Sequence, residues 1–121
     1  MLLPVTGVTR PAAAALITDE DFEVKTARQL LQLCTVSPDD PRYREALHFC
    51  HGYLVGAYHY YLATIAGPNA RLLICPPEPP PTRNAVISGF IGWAPRHPQY
   101  MSEAPVETYF RFLTETWPCK R

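Results

Sequence analysis

The sequence predicts an all-α fold, a small disulfide-bonded bundle of about four helices with a proline-rich connector. Three observations predict it. Apolar residues recur at helical spacing, most clearly at Leu47, Cys50, Leu54, Tyr58, Leu62 and Ile65. Fourteen prolines fall between such segments rather than inside them, and no alternating strand pattern occurs. Four cysteines, Cys34, Cys50, Cys75 and Cys119, are widely spaced, and none belongs to a CxxC pair. An even count of that kind in a short chain reads as two structural disulfides, and hence as an oxidising compartment such as the periplasm.

Residues 1–17 are expected to form a leader. The run Arg10-Pro11-Ala12-Ala13-Ala14-Ala15 has the small residues of a signal-peptide cleavage region, although Met1 to Thr9 lacks the continuous apolar stretch of a complete signal. A plain Ala-rich leader is the other reading. Residues 18–121 then form one helical domain, long enough for a single core.

Phe22-Glu23-Val24 is expected to be short and extended. Thr26 with Gln29 three residues on makes a capping box, which opens a first helix carrying Leu30, Leu31, Leu33 and Cys34. Asp40 followed by Pro41 reads as the N-cap and first turn of a second helix, ended by Gly67-Pro68-Asn69. Leu72-Leu73-Ile74-Cys75 should lie extended against the bundle, and Pro76 to Pro81 should be stiff and polyproline-like. Thr82 can cap a third helix with Val86, Ile87, Phe90, Ile91 and Ala94, closed by Pro95. Ser102 is expected to cap a fourth, with Val106, Tyr109, Phe110, Leu113 and Trp117 on one face and Pro118 after it.

Glycine inside a helix costs about 1 kcal/mol against alanine. Gly52 with Gly56, and Gly89 with Gly92, are therefore expected to mark close helix packing. If successive helices fold back antiparallel, Cys34 comes near Cys50 and Cys75 near Cys119. That pairing is favoured among the three connectivities open to four cysteines.

Charge excludes some function classes. Eleven basic residues balance eleven acidic ones, so the counterion-release term that drives nucleic-acid binding is missing, and no nucleic-acid partner is expected. The longest apolar run, Gly52 to Ala66, is shorter than the roughly 20 residues of a membrane span and contains His59. His48, Cys50 and His51 look like metal ligands, but their i, i+2, i+3 spacing on a helix does not converge on one ion. A Cys–His nucleophile would need a free thiolate. Neither a phosphate-binding glycine loop nor a Gly-x-Ser-x-Gly elbow is present. The expectation is therefore no enzyme, no metal and no cofactor. Tyr53, Tyr58, Tyr60 and Tyr61 surround the second helix, which suits a helix covered on several sides, as in a dimer.

The landmarks taken in order resemble a known group. Leu33-Cys34, Phe49-Cys50-His51-Gly52-Tyr53-Leu54-Val55-Gly56-Ala57, Ile74-Cys75-Pro76-Pro77, His97-Pro98-Gln99-Tyr100 and Trp117-Pro118-Cys119 are similar to the motifs of the Rap/Tai family. Its members are resistance-associated immunity proteins of the type VI secretion system. The likeness runs from about Val24 to Cys119, with a proline run after Cys75 denser than the family's usual link. It implies a helical periplasmic protein, often a homodimer, that inhibits a peptidoglycan amidase by plugging its cleft. On that basis the partner surface is expected on the turns Gly67 to Arg71 and Arg96 to Met101, with Asn69, Arg71, Arg96, His97 and Tyr100 as contacts. The competing resemblance is to the HdeA acid-stress chaperones, also small, helical and disulfide-bonded. There the trigger would be His48, His51, His59 and His97, histidine being the side chain that changes charge near neutral pH.

Overall fold

In a computed structural model of the chain, which describes residues 16–120, four α-helices run as α1 (Ala27–Cys34), α2 (Tyr43–Thr64), α3 (Arg83–Trp93) and α4 (Pro105–Thr116). No strand occurs among the described residues, so the fold is all-α. Most of the expected leader lies outside the described residues. Its last residue, Ile17, is already buried in the core, and its N–H donates to the Asp40 carboxylate at 2.9 Å.

Local sequence explains two helix starts well. Thr26 accepts the Gln29 N–H on its hydroxyl at 3.2 Å, and the Gln29 side chain in turn accepts the Lys25 N–H at 2.7 Å. Thr82 accepts the Ala85 N–H at 3.2 Å and opens α3.

Three expectations are corrected. Asp19–Glu23 is a turn of 3-10 helix rather than an extended stretch, because the Asp21 carboxylate takes the Thr18 N–H and folds the chain back. Val24 closes that turn at φ 50°, a left-handed conformation costly for a β-branched residue. Its side chain is buried in return. Asp40 does not cap α2, which begins at Tyr43. Its two carboxylate oxygens are instead divided between the N–H of Arg42, at 2.8 Å, and that of Ile17. Nor does Ser102 cap α4, whose cap residue is Ala104 with Pro105 at the first position. Proline brings no N–H needing a partner there.

The core is built from one stripe of each helix. Leu30, Leu33, Leu54, Phe90 and Leu113 are fully buried. The inward face of α2 runs through Ala46, Cys50, Leu54 and Tyr61, whereas Leu62 is exposed. Phe90 meets Tyr109 edge-on, with ring centres 5.4 Å apart, and also packs on Trp93 and Phe112. Tyr61 anchors the connector, its hydroxyl lying within 3.4 Å of the Leu73 N–H, the Ile74 N–H and the Ile74 carbonyl. Ile74 is thereby buried while Leu72 and Leu73 stay exposed.

Two disulfides fasten these parts, Cys34–Cys50 between α1 and α2 and Cys75–Cys119 between the connector and the chain after α4. This is the favoured pairing. In the chain-entropy picture, loops of 16 and 44 residues correspond to about 3 and 4 kcal/mol.

The glycines behave differently from expectation. A Cβ added at Gly52, Gly56 or Gly92 would meet nothing within 4 Å, so no helix approaches there. Only at Gly89 is space tight, and the neighbour is a ring rather than a backbone, Phe112 Cζ at 3.0 Å. Gly52→Ala and Gly56→Ala should each therefore raise unfolding free energy by about 1 kcal/mol. Gly89→Ala should gain less or lose stability as Phe112 gives way. Urea denaturation of the three variants checks this, and equal gains at all three positions would contradict it.

Asp40 makes stability depend on acid. The Ile17 and Arg42 N–H groups, and then the Arg42 charge, hold its carboxyl below the ordinary carboxylate range. The unfolded chain binds the proton first, so the Asp40 contribution is complete above about pH 4 and is lost as pH falls through the lower folded value. Asp40→Asn should lower thermal stability at pH 7 and flatten its decline below pH 4. An unchanged acid limb would show that Asp40 is not responsible.

Candidate functional site

The link between α3 and α4 passes through two single 3-10 turns, Ala94–Arg96 and Pro98–Tyr100. Three of the expected contact residues lie on it. Trp93, the last residue of α3, is buried, and its indole N–H donates to Glu115 of α4 at 3.1 Å. His97, one helical turn on, stacks against that indole with ring centres 3.9 Å apart. Its Nδ1 lies 2.8 Å from the Trp93 carbonyl. A carbonyl only accepts, so Nδ1 carries the hydrogen and Nε2 has no partner among the described residues. Tyr100 lies nearly parallel to both rings, at 7° to Trp93 and 11° to His97.

An ion pair completes the stack. The Arg111 guanidinium sits 4.6 Å from the centre of the Tyr100 ring. The same group grips Glu103 with two bonds, Nε to Oε1 at 2.9 Å and NH2 to Oε2 at 2.7 Å. Arg111, with help from the Thr108 hydroxyl, holds the Glu103 carboxyl below the usual range. Buried Thr108 places its hydroxyl 3.0 Å from the Tyr100 carbonyl and 3.2 Å from Glu103.

The backbone is equally tied. His97, Tyr100, Met101 and Glu103 each donate an N–H to a carbonyl three residues back. The carbonyls of Met101 and Glu103 accept from Arg28 and Ala27, at 3.0 and 2.8 Å. These are first-turn N–H groups of α1 that no carbonyl within the helix can satisfy. One link is thus fastened to α1, α3 and α4 together, and exposed Arg96 stands on it without an ion partner among the described residues.

Asn69 and Arg71 fall elsewhere, on the exposed stretch after α2. No hydrogen bond, ion pair or ring contact among the described residues joins them to the α3–α4 link, so the structure does not bring the five contacts into one group. Sequence reasoning missed Trp93, Glu103, Thr108 and Arg111, which hold the link. The one signal for them was the four-residue spacing of Trp93 and His97. Among the described residues no group of three or more His, Cys, Asp or Glu side chains could hold a metal ion, and Cys50 is spent in its disulfide. No helix of the described chain is long and apolar enough to cross a membrane.

A family model described as Rap1a immunity proteins matches residues 26–119. The chain belongs to the Rap1a immunity protein family. The match begins at the Thr26 cap and ends at Cys119, so it takes in all four helices, both disulfides and the α3–α4 link. No curated protein and no solved structure matches. The link carries nearly parallel aromatic rings, an imidazole Nε2 and the Arg96 guanidinium, the last two without a partner among the described residues.

Proposed function

We propose that this chain is an immunity protein that binds and inhibits a type VI secretion effector, a peptidoglycan amidase, in the periplasm. The family match over residues 26–119 carries the reading. Two disulfides and no free cysteine among the described residues are consistent with an oxidising compartment. The protein acts by occupying its target and not by catalysis, as one folded domain that already includes Ile17. The α3–α4 link supplies the contact through Arg96, His97 and Tyr100, and Asn69 and Arg71 make a separate contact from the exposed stretch after α2. Such a link suits the task because it is ordered before binding, which removes much of the cost of ordering it on contact. The active form is a homodimer, for which exposed Tyr60, Leu62, Leu72 and Leu73 offer apolar surface.

Affinity capture with the oxidised protein should retain one stoichiometric peptidoglycan hydrolase at neutral pH. Many proteins held only near pH 3 would instead mean a chaperone. With the captured hydrolase, Arg96→Ala should weaken binding about tenfold, or 1.4 kcal/mol. Its stability should stay within about 0.5 kcal/mol of the parent chain, and unchanged affinity would remove the link from the interface. Sedimentation of the oxidised chain should give the mass of a dimer; a monomer mass would rule the homodimer out.

A further inference from the structure

The side of the bundle lined by α2, the proline connector, α3 and α4 holds a cleft of about 230 Å³. Leu54, Val55, Tyr58, Ile87, Tyr109 and Trp117 give it mostly apolar walls. That volume is below the roughly 300–1,000 Å³ of small-molecule sites, and suits one bulky side chain better than a cofactor. Neither the Tyr58 nor the Tyr109 hydroxyl makes a hydrogen bond among the described residues. Burial pushes the Tyr109 phenol up to about 12, so it remains a neutral donor.

A second cleft of about 390 Å³ adjoins it and shares Val55 and Arg83. Its other walls include His48, His51 and Gly52. Arg83 is thus at the junction of an apolar hole and a histidine-lined one, and His59 lines the first. Neither cleft has a carboxylate among its lining side chains, and Arg83 makes no ion pair among the described residues. An exposed arginine at the rim of an apolar cavity, with no carboxylate lining either cleft, is complementary to an acid attached to an apolar group.

We propose that this double cleft receives an acidic segment of the protein partner, one apolar side chain filling the hole between α2 and α4 and a neighbouring carboxylate pairing with Arg83. This rests on the immunity reading and adds to the α3–α4 link a second contact surface, built from different elements. The open space over Gly52 gives the segment room beside α2. The Tyr58 and Tyr109 hydroxyls can donate to its carbonyls.

The chemistry can be tested without the partner. Amide NMR spectra of the full oxidised chain would be titrated with indole-3-acetate, and with tryptamine as its cationic counterpart. Indole-3-acetate should shift the amides of Val55, Arg83 and Ile87 saturably and bind at least tenfold more tightly than tryptamine. Arg83→Glu should reverse the preference. The site is exposed and a glutamate suits the first turn of α3, so the variant should keep its spectrum elsewhere. Equal binding of the two probes, or no response at these amides, overturns the proposal. So do shifts at the same amides on raising protein concentration alone, which would assign the cleft to a second copy. Selective probe binding in a chain that captures no hydrolase supports the cleft and faults only the immunity reading.

Discussion

An eight-residue helix does not hold itself together in water, and α1 is only Ala27–Cys34. It persists because both ends are fixed from outside. At the start, the Thr26 hydroxyl and the carbonyls of Met101 and Glu103 take three of its first N–H groups. At the end, Cys34 is bonded covalently to Cys50 of the much longer α2. Leu30 and Leu33 can then be buried completely. The dependence is mutual, since the carbonyls that cap α1 belong to the link that would otherwise be an ordinary exposed loop.

That reciprocity gives the link its character. Most loops are anchored at their two ends and move between them. Here the middle is anchored as well, through Thr108 and Arg111 on α4 and the first turn of α1. The rings of His97, Trp93 and Tyr100 lie parallel, which leaves each little rotational freedom. A surface organised in this way loses little entropy when a partner covers it, the condition that separates tight from loose interfaces of equal area.

Sequence revealed what is decided locally. Thr26 and Thr82 were readable as caps because their partners lie three residues away. The disulfide pairing followed once the helices were placed antiparallel. Asp40 and Ser102 were misread for the opposite reason. The second oxygen of Asp40 is taken by Ile17, 23 residues earlier, a partner that no local window contains. Ser102 looked like a cap, but the chain there is already committed to α1 through the carbonyls on either side of it. The glycines of α2 suggest a close neighbour, but the space over them is open, which depends on where the other helices lie and not on α2 itself. The site was half legible. Proline and polar residues marked the turn, but its rigidity comes from pairs such as Glu103 and Arg111, eight residues apart and joined across a helix start.

The disulfides also divide the chain into closed rings. One encloses residues 34–50, and the other encloses residues 75–119 with α3, the link and α4 inside it. A protease that cuts once within either ring leaves a single covalent molecule, its ends still held beside each other. Only residues 51–74 lie between the rings, and most of that stretch is helix α2. The largely exposed run 67–73 is therefore a place where one cut leaves the two rings joined by packing and hydrogen bonds alone. Disulfide bonding thus limits the damage of a single cut over most of the described chain and leaves those seven residues outside that protection.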